Sequence, residues 1–121
     1  AVVEAMAFQT RDVVEAMVGA GAQPLTELKV DGGAAVMDLL LKLQADQLGV
    51  PVTRSATTET TALGAAFFAG LAEKLWSSTD ELAGLWRGDP SVEPAVDRRA
   101  AEVSYRRWLE AVERSRGWAP D

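Results

Sequence analysis

The chain has 121 residues, 48% of them hydrophobic and 25% charged, the balance of one ordinary globular domain. With no cysteine and no histidine, disulfides, thiol catalysis, zinc–thiolate sites and a histidine-based triad are excluded. A net charge of −6 argues against a nucleic-acid surface, and no run of about 18 apolar residues marks a membrane-spanning helix.

Val3, Met6, Ala7, Thr10, Val13, Val14 and Met17 recur at helical spacing. No Ser, Thr, Asp or Asn cap precedes them. The helix is therefore expected to be under way at residue 1, as in a piece of a longer chain entered mid-helix. It should stop near residues 19–21, where glycine takes the left-handed cap conformation. A short connection with Pro24 and Thr26 leads to a strand at Leu28–Val30.

Asp31-Gly32-Gly33 follows at once, and a second helix is expected directly after it, running to about Leu48 and ending at Gly49. Residues 50–53 are short, β-branched and carry Pro51, which predicts an edge or terminal strand. RSATTETT reads as a loop, and ALGAAFFAGLAEKLW as a third helix from about Thr61. On it Ala62, Ala65, Ala66 and Ala69 form a small-residue stripe suited to tight core packing. Ser78-Thr79-Asp80-Glu81 is a capping-box pattern opening a short helix up to Trp86. An extended connection is expected over residues 87–96. A last helix, about 97–115, carries Ala101, Tyr105, Trp108, Leu109 and Val112 on its apolar face, with Glu102–Arg106 and Glu110–Arg114 as outer pairs. Alternation of helix and strand favours an α/β layer over a bundle.

The glycine pair invites a functional reading. It permits backbone angles closed to other residues and clears side chains from the main chain, so that a ligand can approach. A helix starting there would aim free N–H groups and its positive dipole end at that space, which suits a phosphate. The pattern is neither the dinucleotide fingerprint nor a Walker loop, since the third glycine and the Gly-Lys-Ser/Thr run are missing. A purely steric reason for two glycines in a tight turn stays open at this point.

AFQTRDVVEAM, LKVDGGAAVMDLLLKLQADQLGVPV and ETTALGAAFFAGLAEKLW, in that order, resemble the C-terminal lobe of the FGGY carbohydrate kinases, and within them the glycerol kinases. The resemblance runs on through STDEL into the last helix. It implies an α/β fragment of an actin-like (ribonuclease-H-like) ATPase domain, few strands covered by several helices, with residues 1–121 as the C-terminal part of the nucleotide-binding domain. It also implies ATP and Mg²⁺ as cofactors, transfer of the γ-phosphoryl group to glycerol, a cytoplasmic homo-oligomer, and no nucleic-acid or membrane partner. In that family the turn matching Gly32 and Gly33 lies against the nucleotide. The position four residues after the second glycine, commonly Asn, meets the adenine end, and here it is Met37, whose thioether can pack on a ring. The residues that bind and deprotonate glycerol match nothing here, so the chain is expected to hold no catalytic residue and to be inactive alone. A xylulose- or gluconate-type kinase and a noncatalytic nucleotide-binding or assembly module are the alternatives.

The remaining candidates have plain structural readings. Asp31 suits a metal ligand or base, but an Asp opening a tight turn more often satisfies nearby backbone N–H groups. Glu59 suits the start of a helix. The arginines at 98, 99, 106, 107, 114 and 116 alternate with glutamates as on a solvated face. Trp76, Trp86, Trp108 and Trp118 are expected to anchor helices to the core.

Overall fold

A computed structural model describes residues 1–117. Helix α1 is Val2–Gly19, with no side chain capping its start. Strand β1, Leu28–Val30, leads through Asp31 and Gly32 into a single 3₁₀ turn, Gly33–Val36, and only then into α2, Asp38–Leu48. Gly49 closes α2 with φ +70°, the left-handed conformation that glycine adopts freely. Strand β2, Val52–Arg54, is followed by α3, Thr60–Ala72, the short α4, Thr79–Ala83, and α5, Arg98–Ser115.

The two strands pair in parallel, with Leu28 opposite Val52, Lys29 opposite Thr53 and Val30 opposite Arg54. Parallel neighbours need a crossover, and α2 supplies it. Its buried Leu41 and Ala45 pack on Val52, with Leu28, Val30 and Val92 around them. The strand over residues 50–53 is thus displaced by two at its start, and Arg54 belongs to it rather than to the following loop. Nor is its outer side free: Val52 bridges Val92 and Ser55 bridges Gly88, both antiparallel. The connection after residue 86 is zipped onto β2, which is why Pro51 stands just before the strand instead of inside it.

Two further expectations change in the folded chain. Helix α3 ends at Ala72, because Lys74 turns to φ +60°. Its small-residue stripe of Ala62, Ala65, Ala66 and Ala69 is exposed. The side turned inward is instead Gly64, Phe67, Gly70 and Leu71, and a Cβ on Gly70 would lie 2.1 Å from the ring of Trp76. The expected capping box of α4 forms with Ser78 as the N-cap, its return bond reaching one residue further back. Ser78 Oγ accepts from Glu81 N–H, while the Glu81 carboxylate accepts from Ser77 N–H at 2.8 Å. That backbone bond holds the Glu81 carboxyl below its ordinary range.

Helix α5 lies on α1 and α2 through polar contacts more than through its apolar face. Asp97 caps it by accepting from Ala100 N–H. Arg11, buried, donates to Glu102 at 2.6 Å and to Glu15 at 2.7 Å, and stacks 3.8 Å from the centre of the Tyr105 ring. Glu102 therefore meets Arg11 and not the expected Arg106. Tyr105 Oη donates to Asp12, and Trp108 Nε1 donates to the same carboxylate at 2.9 Å. Trp76 and Trp108 anchor as expected, the latter stacked on Phe8. Trp118 lies outside the described residues. Among these residues no helix is long and apolar enough to cross a membrane.

Candidate functional site

The site begins where β1 ends. Gly32 has φ +81° and ψ −178°, a combination essentially closed to side-chain-bearing residues. It swings the chain off the strand into the 3₁₀ turn, which closes with Ala35 N–H donating to Gly32 O and Met37 N–H to Ala34 O, both at 3.1 Å. Gly33 has an ordinary φ, so its need for glycine is not conformational. A Cβ at either glycine meets nothing within 4 Å. The steric explanation thus holds for Gly32 alone, and Gly33 leaves an open strip of backbone.

The intervening 3₁₀ turn corrects the dipole expectation. The start of α2 lies at Met37 and Asp38, four residues beyond Gly33, so its free N–H groups are not aimed from the glycine pair. Met37 is half-buried, and its carbonyl accepts from Leu40 and Leu41 N–H at 2.9 and 3.3 Å. Gly32, Gly33 and Met37 are brought together on one exposed turn.

Two cavities flank the end of β1, of about 330 and 400 Å³, and both touch Val30 and Asp31. The larger also reaches Ala34, Ala35 and buried Gln44, whose Oε1 has no hydrogen-bond partner. Neither is lined by Gly32, Gly33 or Met37. Of the turn's residues only Ala34 and Ala35 border the larger cavity.

Asp31 takes the hydroxyl of Thr60 at the start of α3, so its partner is a side chain across the sheet end and not the turn's own backbone. Among the described residues no group of three His, Cys, Asp or Glu gathers to hold a metal. Glu59 precedes α3 without capping it through its side chain.

Sequence reasoning missed Arg54. Its Nη1 donates to Ala35 O and to Asp38 Oδ1, each at 3.1 Å, and its Nε donates to Asp89 at 2.8 Å. Those two carboxylates, Asp89 first, raise the guanidinium pKa above its ordinary value. The only signal was an arginine directly after a β-branched run, which reads as loop polarity.

A parallel β–turn–α–β unit with a glycine turn at the strand's carboxyl end is the layout in which α/β proteins hold ligands. The C-terminal-domain model of the FGGY family of carbohydrate kinases matches residues 1–73, and the chain belongs to that family. It is 54% identical to a glycerol kinase of Aromatoleum aromaticum over 118 residues, covering 98% of this chain and 24% of that protein. The glycerol kinase of Plasmodium falciparum solved with ADP superposes with a TM-score of 0.81 at 30% identity, over 96% of this chain and 23% of the other. A xylulose kinase of Lactobacillus acidophilus shares the fold, with a TM-score of 0.74 at 19% identity over 97% of this chain and 24% of that one. The fold is that of the expected class, a mixed helix and strand segment of the actin-like (ribonuclease-H-like) ATPases. The chain spans about a quarter of the length of the curated relatives it matches.

Proposed function

We propose that this chain is the C-terminal part of the nucleotide-binding domain of a cytoplasmic, ATP-dependent glycerol kinase, and that it supplies one wall of the nucleotide cleft. The 54% identity to a glycerol kinase across nearly the whole chain carries this reading; among the superposed structures the glycerol kinase is 30% identical and the xylulose kinase 19%. In the reaction a terminal hydroxyl oxygen of glycerol bonds to the γ-phosphorus. The bond from that phosphorus to the bridging oxygen of ADP breaks, and the hydroxyl proton goes to a base outside this chain. Gly32 and Gly33 give the nucleotide unobstructed main chain, and Met37 lies at the base end.

Mg²⁺, bound together with the nucleotide, would offset the charge of its phosphates. Partners are the rest of the kinase polypeptide, glycerol held by it, and further copies in a homo-oligomer. Exposed Phe68 and Leu75, 73% and 71% accessible, offer that polypeptide an apolar contact beside α3.

The test is a coupled assay of the full-length kinase with glycerol, xylulose and gluconate. Glycerol is expected to be the preferred acceptor, and a preference for either sugar substrate would overturn the reading. The isolated 121-residue chain is expected to form no glycerol 3-phosphate above an enzyme-free control.

Met37→Asn in the full-length enzyme is expected to sharpen the preference for ATP over GTP. A gained hydrogen bond is worth about 0.5–1.5 kcal/mol, hence a few-fold to roughly tenfold. An unchanged ratio with a lowered Tm would mean that residue 37 packs inward and never meets the base.

A further inference from the structure

We propose that Arg54 is the positioning residue of the nucleotide turn, setting where Gly33 and Met37 stand relative to the base; this rests on the nucleotide reading of that turn. Its two Nη1 bonds straddle Met37, one to the carbonyl of Ala35 and one to the carboxylate of Asp38. The 3₁₀ turn ends with Met37 N–H on Ala34 O, so the Ala35 carbonyl lies past its last backbone bond. Arg54 supplies that carbonyl with a donor. Among the described residues no other side chain bonds this junction: Met37 stands at the cap of α2 with backbone bonds alone and no side-chain capping bond.

Arg54 is itself held at a fixed point. Its backbone lies in β2 opposite Val30, the last residue before the turn. Asp89 grips it twice, through the carboxylate on Nε at 2.8 Å and through its own N–H on Arg54 O at 2.9 Å. The connection after residue 86 thus braces the guanidinium, and the guanidinium braces the turn. Arginine suits this work because its planar fork directs several donors at once, which the single ammonium of lysine does not.

The experiment uses the full-length kinase carrying Arg54→Met, Arg54→Lys or Gly33→Val, with KM for ATP, KM for glycerol, kcat and Tm measured on each. Arg54→Met is expected to raise KM for ATP roughly fivefold to twentyfold, the worth of one to two weakened hydrogen bonds, with KM for glycerol within about twofold. Arg54→Lys is expected to fall between Met and wild type on the ATP scale. If Arg54 variants lower Tm while both KM values stay put or move together, and Gly33→Val remains selective for ATP, the arginine is a structural ion-pair residue and the proposal is overturned. Should Arg54→Met fail to fold, the KM split of Arg54→Lys decides in the same way. Equal effects of Gly33→Val on both substrates would overturn the nucleotide reading itself.

Discussion

Gly33→Val in the full-length kinase is expected to raise KM for ATP by roughly fivefold to a hundredfold, with KM for glycerol within about twofold and Tm nearly unchanged. The separation follows from where a side chain at residue 33 would go. Its φ is ordinary, and a Cβ there meets no protein atom within 4 Å, so folding tolerates it. An exposed substitution of that kind costs within about 0.5 kcal/mol. A nucleotide lying on the bare backbone would instead meet two methyl groups. Forcing carbon atoms into a filled contact costs about 1–3 kcal/mol, and each 1.4 kcal/mol is tenfold in affinity.

The neighbouring glycine provides the contrast. Gly32 has equally open space around it, but its backbone at φ +81° is essentially reserved for glycine. Substitution there would strain the chain with or without a ligand. A stability assay therefore separates the two glycines, and a nucleotide titration gives Gly33 its own signature. Should Gly33→Val disturb glycerol as much as ATP, residue 33 serves folding and the cleft lies elsewhere.

Much of this fold was legible because its punctuation is local. Gly49 closes α2 in the left-handed conformation, Asp97 caps α5, and the apolar periods of α1 and α5 fall at helical spacing. Each depends on residues within a few positions of one another. What the sequence hid depends on residues far apart. A glycine pair reads as one tight turn into a helix, whereas the chain inserts a 3₁₀ turn, because Gly32 takes the unusual conformation and Gly33 does not. The small-residue stripe of α3 reads as a packing face, yet Gly70 against Trp76 is the close approach. Arg54 has no local signal at all. Its partners lie 16 to 35 residues away; the parallel register of β1 and β2 brings Ala35 and Asp38 into reach, and the antiparallel pairing of residues 88–92 with β2 brings Asp89. Gly32 and Gly33 were readable because they are adjacent at the end of a strand, Met37 came only with the family resemblance, and the side chain that braces the turn was not readable.

The same logic governs the docking of α5, where Arg11→Met is expected to destabilise the protein by about 2 kcal/mol, roughly 5–10 °C in Tm. Sequence periodicity assigns α5 an apolar face, but Leu109 is 45% exposed and only Ala101 and Tyr105 of that face are buried. The missing attachment is polar. Arg11 joins Glu15 on its own helix to Glu102 on α5, and its plane covers the Tyr105 ring. Methionine keeps much of the stem's apolar packing while removing the charge, so the loss isolates the ionic and cation–π parts. The magnitude is set below that of a fully buried pair because Glu15 and Glu102 are each about half exposed and regain water when abandoned.

Acid pH gives an independent check on the cause. Arg11, through its hydrogen bond, holds the Glu102 carboxyl below its ordinary range near 4.5. A carboxyl depressed on folding contributes stability that is fully present above the unfolded value and is lost as pH falls through the folded one. Wild type should therefore lose its advantage over Arg11→Met as pH drops from about 4.5 downward, and the two Tm curves should converge. Curves that stay parallel through that range would mean that the arginine stabilises α5 by packing on Tyr105 and not by its bond to Glu102.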